Sequence, residues 1–128
     1  MELGQYMDAR VRFSEDFLYL IDPDNPRICV EVWQPIGLFG HARGLLGALE
    51  VGRGRGFMLR AKQVHTVGMA FPIDVVHLSR KGVVLRVRTQ QPGRVGRFVL
   101  GARWVLEMDA GEADRLGIRV GARLVPQQ

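Results

Sequence analysis

One run limits the architecture more than any other. Pro72-Ile73-Asp74-Val75-Val76-His77-Leu78 leads through Ser79-Arg80-Lys81-Gly82 into Val83-Val84-Leu85-Arg86-Val87-Arg88. The apolar run after Pro72 is short and rich in valine, so it is read as a strand. Gly82 can take the positive φ of a tight turn, and the second run returns as a partner strand. The pair is a β-hairpin, and the rest of the chain must be built around a sheet. On a strand from Ile73 to Leu78, alternation puts Ile73, Val75 and His77 on one face and Asp74, Val76 and Leu78 on the other. Asp74 and His77 then point apart and cannot form one metal site or catalytic dyad. His77, at the strand end, is expected to be partly exposed.

The flanking segments fill out the sheet. Ile28–Trp33 reads as a strand closed by Pro35, with Cys29 as an inert core thiol. Leu38, Ala42, Leu45 and Leu46 make a short helical stripe that ends at Gly47, with His41 on its surface. Phe57–Leu59 is a brief strand, Gln90–Arg97 a loop, and Arg103–Met108 another strand. Asp109, with Glu112 three residues on, predicts a capped second helix over 110–116 that ends at Gly117. These elements predict an α+β fold: mostly antiparallel β, a small curled sheet or barrel-like core with two short helices. Residues 1–27 are expected to be an acidic N-terminal extension packed on or beside the core, and 28–128 a single compact β-rich domain.

Charge is unevenly spread. Residues 1–27 hold three arginines against six acids, whereas residues 53–103 hold eleven basic residues against Asp74 alone. The net +5 thus conceals a strongly basic middle. Arg53, Arg55, Arg60, Arg86 and Arg88 are candidates for binding an anion, for which the guanidinium fork is suited. Gly52-Arg53-Gly54-Arg55-Gly56 lacks the lysine and hydroxyl of a phosphate loop and leads into a strand, so it is read as a flexible turn. One cysteine excludes an intrachain disulfide and a multi-cysteine zinc cluster. No leader-like N-terminus and no apolar run of membrane-spanning length is visible. The chain is therefore expected to be soluble and cytoplasmic, without membrane, metal or cofactor.

Chemistry-bearing residues gather in the stretch before and within the hairpin. Asp74 near the strand start is expected to face the preceding His-Thr loop, accepting its backbone N–H groups or fixing the tautomer of His65. A pocket lined by His65, Thr66, Met69, Phe71, Asp74 and Glu107 is the leading binding site, combining an apolar lining with few polar groups. Ser14 and Ser79 stand in no nucleophile motif.

Three segments together resemble the family called domain of unknown function 192. They are Ala42-Arg43-Gly44-Leu45-Leu46-Gly47, then Val64 to Val76, then Ala102 to Gly111 with Ala113–Ile118 and Val120-Gly121 following. Their order and spacing agree from about Ile28 to Val125. The resemblance implies a compact, mostly β fold and no assigned activity. Many similar proteins carry an export signal and a Trp-Met-Lys-Asn-Thr loop where this chain has Val64-His65-Thr66-Val67-Gly68-Met69.

Three readings follow. The first is an uncharacterised, non-enzymatic binding or accessory domain with a small pocket near His65 and Asp74, for a small molecule or a protein partner. The second is anion or nucleic-acid binding through the arginine-rich 53–103 segment. The third is a hydrolase that pairs His65 with a carboxylate.

Overall fold

The computed structural model describes residues 17–33 and 51–127. The strands are β1 (Phe17–Asp22), β2 (Asn25–Trp33), β3 (Arg55–Leu59), β4 (Ile73–Leu78), β5 (Val84–Gln90), β6 (Trp104–Asp109) and β7 (Val125–Pro126), with one helix, α1 (Glu112–Leu116), between β6 and β7. They form one sheet in the order β5-β4-β6-β3-β2-β1-β7. β2 and β3 run parallel, and every other pair is antiparallel. The sheet is therefore mixed.

The expected α+β, barrel-like architecture is corrected by this arrangement. The described residues are largely β, with α1 as their single helix. The C-terminal segment does reach both edges: Val83 and Arg123 form an isolated bridge beside β5, while β7 pairs with β1. A lone bridge and a two-residue strand leave the sheet unclosed. The helical stripe at 38–46, His41 included, lies outside the described residues.

The two faces of the sheet have different coverings. One carries the main core, with Leu20, Val30, Val32, Met58, Val76, Leu78, Trp104, Leu106 and Met108 packed against Leu116, Ile118 and Leu124. The other carries a smaller cluster of Leu59, Ile73, Val75 and Val105, roofed by Val64, Met69 and Phe71 from the loop before β4. Because β4 lies between β5 and β6 and both of its faces are covered, all six of its residues are buried, Asp74 and His77 included. His77 is among them at 1% exposure, so the expected partial exposure is overturned.

Cys29 is also corrected. Ile28, Val30 and Val32 alternate into the core, which leaves Cys29 exposed on the opposite face. At α1 the expected Asp109 cap is absent: the N-cap is Gly111, with φ 91° and no side-chain cap bond of its own. Asp109 instead accepts from Val51 N at 2.6 Å and Gly52 N at 2.9 Å, and Glu112 accepts from Gly54 N. These two acids pin the turn that the glycine-arginine sequence suggested was flexible.

Candidate functional site

The residues expected to share a pocket are divided by the sheet. Asp74 pairs with Met108 on β6, and its neighbour Val75 pairs with Glu107, so the two carboxylates emerge on opposite faces. Asp74 Oδ2 accepts from Gly111 N and Ala113 N, both at 3.0 Å, and Oδ1 accepts from Thr89 Oγ1 at 2.7 Å. It braces α1 and not the His-Thr loop. A buried carboxylate needs such donors, and all three come from outside the loop that precedes it. Glu107 lies on the smaller-cluster face with Met69 and Phe71, and burial pushes its carboxyl up to about 7.

Thr66 and His65 have separate parts. Thr66 is fully buried, donating from Oγ1 to Gln91 O at 2.6 Å and accepting there from Arg94 N at 3.0 Å. Gln90 Nε2 joins the same knot, within 3.3 Å of Val64 O and of Arg94 O. Backbone bonds complete the seam: Thr66 N to Arg94 O at 2.8 Å, Gly93 N to Thr66 O at 2.8 Å and Gly96 N to Val64 O at 2.9 Å. The 91–97 loop is thereby held down on the 64–66 segment. His65 is exposed, and its Nδ1 accepts from Val67 N at 3.3 Å. Among the described residues no carboxylate hydrogen-bonds to His65, so the expected His65–carboxylate pair is not formed.

Fixing that loop creates a groove. Antiparallel pairing sets Arg86 opposite His77, Arg88 opposite Val75 and Gln90 opposite Ile73, all on one face. The 91–97 loop adds Arg94 and Arg97, enclosing about 350 Å³ lined by Arg86, Arg88, Arg94 and Arg97 with Gln90 and Gln91. No ion pair neutralises any of these four arginines among the described residues. Burial, then the nearby charges of Arg88 and Arg97, lower the pKa of Arg86. Several guanidinium groups of like charge thus share one concavity.

His77 lies beneath this groove, across the strand pair from Arg86. Burial, then Arg86, lower its pKa, while the carbonyls of Lys62 and Arg97 pull in the other direction. Neither carbonyl reaches regular hydrogen-bond geometry, and both ring nitrogens are without a hydrogen-bond partner among the described residues. A neutral imidazole is the consequence.

The other arginines read from the sequence lie elsewhere. Arg55 Nε is paired with Glu31 at 2.9 Å, and Arg53 sits on the turn held by Asp109 and Glu112. Arg60 is exposed and makes its own interaction. Arg94 and Arg97 were not among the sequence candidates, because nothing in a Pro-Gly loop says which face of the sheet it folds across. Beside the arginine groove is a second one of about 420 Å³, lined by Gln63, Val64, His65, Val67 and Val95. Val95 borders both. Among the described residues no three metal-ligating side chains come together, and no helix is long and apolar enough to cross a membrane.

The sequence model of the domain of unknown function 192 matches residues 24–126, nearly the whole described sheet. The chain belongs to this family. DUF192 is described only as "Uncharacterized ACR". No curated protein matches the chain significantly. The fold is similar to a crystal structure from Sinorhizobium meliloti named a "putative transcription regulator", at 18% identity and a TM-score of 0.72, over 86% of this chain and 92% of that one. It is also similar to a protein of unknown function from Novosphingobium aromaticivorans, at 18% identity and a TM-score of 0.66, over 85% and 84% of the two chains. At that identity both comparisons speak to the DUF192 fold alone.

Proposed function

We propose that this DUF192 protein is a non-enzymatic binding domain for a small anion, held in the groove between β5 and the 91–97 loop. The observation that carries this reading is the convergence of Arg86, Arg88, Arg94 and Arg97 on one concavity, with no ion pair to any of them among the described residues. Arginine forks bind carboxylate and phosphate oxygens bidentately, and the neighbouring Gln90 and Gln91 amides can complete the coordination. The seam made by Thr66 and Gln90 supports the same reading, since a site held rigid before binding loses less entropy when it is filled. The division of His65, Asp74 and Glu107 between two faces favours binding over hydrolysis.

Nucleic acid is the second reading. The same arginines would contact phosphates, and one structural neighbour is named as a transcription regulator. The groove is short and no aromatic side chain lines it among the described residues, which favours a small ligand over a strand of bases. The two are separated by thermal-shift titration with inorganic phosphate, pyrophosphate and citrate at low ionic strength, alongside a gel shift with duplex DNA and RNA. A small anion is expected to raise the melting temperature. Arg86→Gln or Arg97→Gln should weaken it about 10- to 100-fold, the scale of one lost charge-assisted contact, while Arg53→Gln should not. Nucleic-acid retardation with steep salt dependence and no small-anion effect would reverse the order of the readings.

A further inference from the structure

Val95 joins the arginine groove to a concavity of a different character. The second groove is formed by Val64, Val67 and Val95, with the His65 ring and Gln63 at its border. Val95 is 71% exposed and Val67 55%, an unusual outlay of aliphatic surface beside four guanidinium groups. Their placement is not slack. His65 and Val95 form an antiparallel bridge, Gly96 N donates to Val64 O at 2.9 Å, and Gln63 Nε2 donates to Gly96 O at 2.8 Å. The wall between the two grooves is therefore fixed backbone.

We infer that the ligand is an amphiphilic anion, its carboxylate or phosphate headgroup among Arg86, Arg94 and Arg97 and its apolar portion across Val95 against Val64 and Val67. This rests on the anion-binding reading above and adds the chemistry of the ligand's other half. Grooves of about 350 and 420 Å³ are each of small-molecule size, and together they suit a headgroup with a short chain or ring. His65 adds a polar mark at the boundary. Its Nδ1 accepts from the Val67 N–H, which leaves Nε2 as the ring's donor toward an ester or hydroxyl oxygen at the join between head and tail. The same headgroup chemistry occurs on free amphiphiles and on anionic lipid surfaces. The concave shape of both grooves favours the free molecule.

Calorimetric titration of the full chain with acetate, butanoate, hexanoate and octanoate, and with methyl and hexyl phosphate, tests this directly. Sedimentation with phosphatidylcholine and phosphatidylglycerol vesicles forms a parallel arm. Saturable one-to-one binding is expected, with affinity rising up to about fourfold per added methylene until the groove is filled. The Val67→Ser variant changes one exposed residue that lines the second groove and not the arginine groove. It should abolish that rise while leaving methyl phosphate binding unchanged, whereas Arg97→Gln should weaken every member of the series. Binding that depends on the arginines but not on chain length overturns the inference and leaves the anion reading standing. No binding of any anion removes both. Capture by phosphatidylglycerol vesicles with no binding of free amphiphiles also overturns it, since the partner would then be a membrane surface.

Discussion

Asp74 shows how one carboxylate can tie a sheet to a helix. Its two oxygens receive three donors, one from β5 and two from the start of α1, so removing it strands the N–H groups of Gly111 and Ala113 beside the core. Asp74→Ala is expected to cost about 2–4 kcal/mol in urea unfolding, and Thr89→Val, which removes one donor, about 1 kcal/mol. Equal losses would contradict this account of the brace. Glu107 and His77 set the pH behaviour in opposite directions. The Glu107 pKa is raised on folding, so its stabilising contribution is whole below about 4.5 and is lost as pH climbs to about 7. The His77 pKa is lowered, so its contribution is present above 6.5 and declines as pH falls below that value. Glu107→Gln should therefore gain up to about 3 kcal/mol on the wild type between pH 5 and pH 8, by unfolding at several pH values. A constant difference across that range would show that burial does not shift Glu107.

Elements are joined here by close backbone approaches that single residues make possible. Gly82 turns the β4–β5 hairpin with φ 88°, and a Cβ there would collide with the carbonyl of Leu124, whose own N–H bonds Gly82 O at 2.9 Å. Gly93 has φ 75° and open space around its Cβ position. Gly82→Ala should thus destabilise by 2 kcal/mol or more, and Gly93→Ala by only the roughly 1–2 kcal/mol of left-handed backbone strain. The hairpin itself was plain in the sequence, because valine-rich runs about a turn have few alternatives, and the facing of Ile73, Val75 and His77 followed from period alone. What no local pattern could convey was the partner of each polar group. Asp109 and Glu112 looked like a capping box, yet both point to the turn some 57 residues earlier, and the cap comes from Asp74. Cys29 sat in an apolar run of which one face is bare. Thr66 is the clearest case, since its partners Gln91 and Arg94 lie 25 and 28 residues away. Thr66→Val should loosen the 91–97 loop and weaken anion binding while the sheet survives, measured by hydrogen exchange of the loop amides together with titration.

At the scale of the whole molecule, the sheet separates two tasks. Its more enclosed face, with Trp104, Leu106 and Met108, builds the stable core, and the other carries the loops that shape surface grooves. The basic middle of the chain is sorted by this arrangement. Arg53 and Arg55 lie among Glu31, Asp109 and Glu112, while Arg86 and Arg88 meet the loop arginines and form no ion pair among the described residues. Net charge along the sequence could not distinguish these two fates, because the acids beside Arg53 and Arg55 come from β2, β6 and α1. The most direct test of the proposed anion site is a titration of isotopically labelled protein with inorganic phosphate at low ionic strength, followed by NMR of backbone amides and arginine Nε–H groups. The anion site predicts saturable shifts concentrated at residues 86–97, led by the side chains of Arg86, Arg94 and Arg97, with Arg53 and Arg55 unmoved. Shifts spread evenly over all the arginines, or centred on the turn at 52–55, would contradict it.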